Sequence, residues 1–202
     1  RYYFNIVGKY GAPVQTLLKK ASALDIAMIC PLHGPVLKDN LGYYLGLYNT
    51  WSSYQPEDKG ILIAYASIHG NTGKAAEKLA EILREKGAEK VVVSDLARED
   101  MAEVIEDAFR YDRMILAAAS YDAGVFPCMQ DFLHHLQSKA YQNRKVGIVE
   151  NGSWAPTAAR TMKSILETMK NIEIVEPVVT IRSVMKESDL PAMEQLADAM
   201  TK

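Results

Sequence analysis

The stretch Ile61-Leu-Ile-Ala-Tyr-Ala-Ser-Ile-His-Gly-Asn-Thr-Gly-Lys74 changes character in its middle. Residues 61–66 are a short apolar run of strand length, and from residue 72 to about 86 the apolar positions recur at helical spacing. Between them stand hydroxyls, an amide and glycines, the composition of a tight strand-to-helix turn. The same alternation repeats to the end of the chain. Strand-like runs are expected at 91–94, 113–119, 145–150 and 174–181, and helices at about 101–109, 129–140, 155–170 and 189–200. Short apolar runs alternating with amphipathic helices make βαβ units, whose right-handed crossovers cover both faces of a parallel sheet. Ala117-Ala118-Ala119 is weak by β propensity, which suggests close approach by a helix or ligand, or tight packing.

Residues 51–59 are polar and contain Pro56, so they read as a linker between residues 1–50 and 60–202. The first part holds a helical pattern at about 13–23, an apolar run at 26–30 ending in Pro31-Leu-His-Gly-Pro35, and an aromatic-rich stretch at 43–51 that suits a short helix. With 49% apolar and 24% charged residues a sizeable core can form. A net charge of −2 supplies no field that draws nucleic acid, and no apolar run reaches the ~20 residues that span a bilayer. Cys30 and Cys128 lie far apart, a pattern that fits reduced thiols in a cytoplasm. The chain opens on Arg1 with no Met and no signal peptide pattern, and reads as a fragment or a processed product.

In a sheet of order 2-1-3-4-5, ligands sit where the strand order reverses, at the carboxyl ends. The loop after the first strand, Ser67, Ile68, His69, Gly70, Asn71 and Thr72, opens directly into a helix. A helix N-terminus offers free N–H groups and partial positive charge, which suit a phosphate. The loop lacks both the dinucleotide and the triphosphate glycine patterns, so a monophosphate is the natural guest, although Asn71 or Thr72 capping the helix explains it too. The loops after the third and fourth strands carry Ser120, Tyr121, Asp122, Ala123 and Gly124, and Asn151, Gly152, Ser153 and Trp154. Tyr121 and Trp154 are candidates for the lid of a flat ring, and backbone N–H groups around 151–154 for its polar edge; plain surface packing is the alternative.

These loops resemble those of flavodoxins, and specifically the flavodoxin-like domain of flavodiiron proteins. Tyr65 to Thr72 is similar to the phosphate loop of that family, Phe126-Pro-Cys-Met-Gln-Asp-Phe-Leu-His-His-Leu136 to the helix after its first flavin loop, and Glu150 to Ala155 to its second flavin loop. Asp25-Ile-Ala-Met-Ile-Cys-Pro-Leu-His-Gly-Pro35 resembles the tail of the family's metallo-β-lactamase-like domain, in which the His of His-Gly-Pro is the last diiron ligand, here His33. The resemblance implies a flavodoxin-like α/β three-layer sandwich with a five-stranded parallel sheet, and residues 1–50 as a domain remnant. It implies FMN as cofactor, a donor such as rubredoxin or an NADH-dependent reductase, a diiron domain as acceptor, and a homodimer in the full-length protein.

The rest of the diiron ligand pattern is missing, and only His33 of the four histidines matches it, so the metal is expected only in an intact site. His134 and His135 read as structural, His69 as a local contact, and Gly73 stands where many relatives carry Glu. The expected function is electron transfer through FMN, for a reductase of oxygen or nitric oxide. A free-standing FMN-dependent NAD(P)H or quinone reductase is the alternative. A receiver-type signalling domain fits less well, because Asp122 lies past the strand end where its phospho-acceptor belongs.

Overall fold

The computed structural model describes residues 1–202. A π-helical turn (Tyr3–Val7) and a 3-10 turn (Gly8–Tyr10) lead into helices α1 (Gly11–Ala21) and α2 (Leu41–Ser52). Then follow β1 (Asp58–Ala66), α3 (Asn71–Glu85), β2 (Val91–Asp95), α4 (Met101–Arg110), β3 (Tyr111–Tyr121), β4 (Gly124–Val125), α5 (Pro127–Ser138), β5 (Arg144–Asn151), α6 (Ala158–Leu166), β6 (Ile172–Ile181) and α7 (Leu190–Thr201). Five parallel strands run in the order β2-β1-β3-β5-β6, and β4 pairs antiparallel with the end of β3. This is the expected flavodoxin-like sandwich with one short strand added.

The apolar runs have a simple cause. Successive side chains of a strand point to opposite faces. Leu62, Ala64 and Ala66 enter the core under α4, α5 and α6, whereas Ile61 and Ile63 enter the core under α3 and α7. Met114, Leu116 and Ala118 divide from Ile115 and Ala117 in the same way. Both faces are covered, so no position is free to be polar.

The N-terminal segment joins the first of these cores. Tyr3, Phe4 and Val14 are buried in it, and the Phe4 ring stacks on Phe109 at 4.4 Å. The polar stretch before β1 is also tied down. The Tyr54 hydroxyl accepts from Gly11 N–H (3.2 Å) and donates to the Gly8 carbonyl (2.9 Å). Helix α2 runs through Trp51 and Ser52, and the sheet begins at Asp58, which pairs with Arg110 at 2.7 Å.

Arg144 fastens this end of the sheet. Only 3% exposed, it donates to the carbonyls of Tyr111 (2.8 Å), Phe109 (2.6 Å) and Tyr54 (2.9 Å), and to those of Gln142 and Asn143 (both 3.1 Å). No carboxylate pairs with it, and burial draws its pKa down.

Helix α6 is shorter than the expected 155–170. Pro156 and the turn at residue 157 start it late, and the chain leaves the helix after Leu166. The Ile26–Cys30 run forms no strand beyond one isolated bridge, Ile29 to Leu37. No helix is long and apolar enough to cross a membrane.

Asp107 on α4 gives a pH signature. Burial, and then Glu106, raise its pKa above 3.8 in the folded chain. A raised carboxyl pKa favours folding in the protonated form, so the penalty is absent below the unfolded pKa and develops as pH rises through the folded one. Asp107→Asn is therefore expected to raise the unfolding midpoint at pH 7, with the gain fading at pH ~3.5. Denaturant titrations at the two pH values check this, and an equal effect at both would contradict it.

Candidate cofactor site

The carboxyl ends of β1, β3, β5 and β6 meet along one edge of the sheet. A cavity of about 240 Å³ there is lined by Ser67, Ile68, His69, Asn71, Thr72, Ala119, Ser120, Asn151, Gly152, Ser153 and Ser183. It adjoins a second, of about 340 Å³, lined by Ser120, Tyr121, Asp122, Ala123, Gly152, Ser153, Trp154, Ala155 and Thr157. All the loop residues picked from sequence line one or the other, except Gly70 and Gly124. Gly70 borders a third cleft with Tyr65, Lys74 and Arg98, and Gly124 sits in the hairpin behind Tyr121.

At the β1–α3 corner, Gly70 precedes the helix with φ 85°, a conformation open to glycine at no steric cost. No side chain caps α3, and its first intrahelical bond is Lys74 N–H to the Gly70 carbonyl. The N–H groups of Asn71, Thr72 and Gly73 are thus left pointing outward, so Asn71 and Thr72 do not cap the helix. The Ser67 hydroxyl is buried and has no hydrogen-bond partner. Buried polar groups are rarely left unpaired. Four donors at this corner thus lack a partner within the chain, the kind of set that the acceptor oxygens of a phosphate would suit. Gly73 makes room for Tyr65: a Cβ there meets the ring at 3.1 Å.

Two polar side chains that looked available have other work. Ser120 Oγ accepts from the N–H groups of Thr157 (2.8 Å) and Ala158 (3.2 Å), and so caps α6. The Asn151 amide bonds to the backbone of Ser183. Glu150, only 8% exposed, accepts from Ala159 N–H and the Thr180 hydroxyl, tying α6 to β6 beneath the loop. The Ala119 of the small-residue run lines the cavity, whereas Ala117 and Ala118 lie wholly in the core.

The β3–β4 hairpin turns on Asp122 (φ 47°) and Ala123 (φ 56°). Positive φ at both central residues matches the sheet's twist. Asn-Gly would be usual there; Ala in this region costs ~1–2 kcal/mol. The turn presents Tyr121 outward, 45% exposed, while Trp154 across the cavity is 86% exposed. Four large apolar side chains stand exposed around this edge, one from each loop: Ile68, Tyr121, Trp154 and Val184. Cys128, at the start of α5, is half-buried, and burial pushes its thiol pKa up.

His33 lies away from this edge, exposed and stacked on Tyr2 at 5.4 Å, and no group of three or more His, Cys, Asp or Glu is placed to hold a metal ion. His135 faces Asp131 on α5. Sequence reasoning missed the Ser183–Val184 loop, which carries neither glycine nor aromatic residue.

The family model for the flavodoxin domain matches residues 62–187. An anaerobic nitric oxide reductase flavorubredoxin from Aliivibrio fischeri is 26% identical over 157 residues, covering 76% of this chain and 32% of that protein. Rubredoxin oxygen:oxidoreductase from Desulfovibrio gigas superposes with a TM-score of 0.90 at 20% identity, over 98% of this chain and 50% of that one. The flavodiiron protein from Giardia intestinalis gives 0.87 at 20% identity, over 99% and 50%. The chain thus spans half or less of the length of these relatives. The family model covers more than half of the residues, and the chain belongs to the flavodoxin domain family.

Proposed function

We propose that the chain is an FMN-binding electron-transfer domain of a flavodiiron-type protein. The observation that carries this reading is the buried, unpartnered Ser67 hydroxyl beside the uncapped N-terminus of α3. Ser67 and the N–H groups of 71–73 would hold the phosphate, with His69 and Thr72 alongside. Tyr121 and Trp154 would flank the ring, and the backbone N–H groups of Ser153 and Trp154 would meet its polar edge. FMN supplies one- or two-electron transfer. The protein's part is binding, orientation and exclusion of water, with no side chain needed as acid or base.

Residues 1–50 we read as the remnant of a metallo-β-lactamase-like domain, followed by the linker at 51–59 and the FMN domain from 60. Large exposed apolar side chains are concentrated in this first part: Tyr2, Ile6, Tyr10, Leu17, Leu24, Met28, Leu32, Val36, Tyr43 and Tyr44. Such a surface calls for a covering partner. A diiron domain, with His33 among its ligands, is that partner in this reading. The full-length protein would work as a homodimer fed by rubredoxin or an NADH-dependent reductase, in a cytoplasm that keeps Cys30 and Cys128 reduced.

The visible absorption spectrum of the purified chain tests the cofactor, with the released pigment identified after heating. One FMN per chain is expected. A colourless chain that takes up no added FMN contradicts the reading, and steady NAD(P)H oxidation by the chain alone would favour a free-standing reductase.

A further inference from the structure

The loop after β6 grips the loop after β5. Asn151 Nδ2 donates to the Ser183 carbonyl at 2.8 Å while its Oδ1 accepts from Ser183 N–H at 3.0 Å. One side-chain amide thereby closes a ring with the backbone of one residue. The Ser153 and Ser183 hydroxyls lie 2.9 Å apart, and Gly152 N–H donates to the Ile181 carbonyl at 3.1 Å. Ser183 holds φ 64°, a left-handed conformation unfavourable for a residue with a side chain. Strained backbone persists where its surroundings over-determine it, and such places cluster at ligand clamps. Here the over-determining contacts are the Asn151 amide and the Ser153 hydroxyl. Ser183 also lines the 240 Å³ cavity beside Gly152 and Ser153, and its neighbour Val184 stands exposed on the rim.

We propose that residues 182–184 form a fourth wall of the cofactor site, and that Ser183 is a positioning residue that fixes Gly152 and Ser153 against the flavin ring. This rests on the FMN reading above. A surface loop needed only to join β6 to α7 has no use for a two-point amide clasp at a strained residue. A loop that must hold backbone N–H groups still for a ligand does, because pre-organised donors bind without first being ordered.

The test titrates FMN, and separately riboflavin, which lacks the phosphate, into the cofactor-free chain and records the spectrum of each complex. Ser183→Ala is expected to weaken both flavins by the same factor, about tenfold, the loss of roughly one hydrogen bond. Asn151→Ala should weaken both further and shift the bound-flavin absorption bands, whereas Ser67→Ala should weaken FMN and leave riboflavin unchanged. Ser183 is exposed, so its variant tests the proposal even where Asn151→Ala does not fold. Clasp variants that bind both flavins like the parent, with unchanged spectra, overturn the fourth wall and leave the FMN reading standing. A parent chain that binds neither flavin overturns both.

Discussion

Arg144→Met lowers the unfolding free energy by ~3–5 kcal/mol, through the carbonyls it leaves unpaired in the interior. In a chain of this size each kcal/mol moves the midpoint by roughly 2–4 °C, so a fall of about 10 °C is expected. The guanidinium serves carbonyls from three separate places: Tyr54 before the sheet, Phe109 and Tyr111 at the α4–β3 corner, and Gln142 and Asn143 before β5. Methionine matches the stem in length but brings no donor. Lysine brings a charge and three donors without the planar fork, so Arg144→Lys should fall between. Thermal unfolding by circular dichroism reads this directly. A methionine variant that melts within about 2 °C of the parent would refute the assignment.

The second large effect is on the cofactor. Gly152→Ala is expected to weaken FMN binding by at least about 100-fold, or ~2.7 kcal/mol. A Cβ on Gly152 falls 2.9 Å from Pro156 Cα and 3.1 Å from Ser120 Oγ. The first is backbone, with no flexible end to yield. The second holds the N-terminus of α6, so making room disturbs the 152–157 loop and the start of the helix together. Overpacking of this kind costs ~1–3 kcal/mol of stability, which leaves a folded chain whose ring-side N–H groups are displaced. Flavin fluorescence quenching measures the affinity. Parental affinity in Gly152→Ala would mean that the ring lies elsewhere.

The fold was legible because its strands bury both faces. Runs such as Ile61–Ala66 and Met114–Ala119 have no polar position to confuse the period, and only a covered parallel sheet wants that pattern. The hairpin was not legible, because Asp122-Ala123 lacks the glycine that marks such a turn. The β1–α3 corner could be read from Ser67, Gly70 and Thr72, since hydroxyls and glycine before a helical period mark a tight strand-to-helix turn. Ser120 and Asn151 were also picked from sequence, but residue type could not say that their polar atoms turn inward, to α6 and to Ser183. That depends on partners more than thirty residues away in the chain. For the same reason Ser183 left no local trace.

The stack of Phe4 on Phe109 and the hold of Arg144 on the Tyr54 carbonyl tie both ends of the N-terminal segment to the sheet. Electron tunnelling slows steeply with distance, so this rigidity has a kinetic meaning. A partner of the kind proposed above, covering this segment, would gain a defined separation from the edge where Tyr121 and Trp154 stand. In such an assembly the transfer rate would be determined by geometry, instead of by a search among loose orientations.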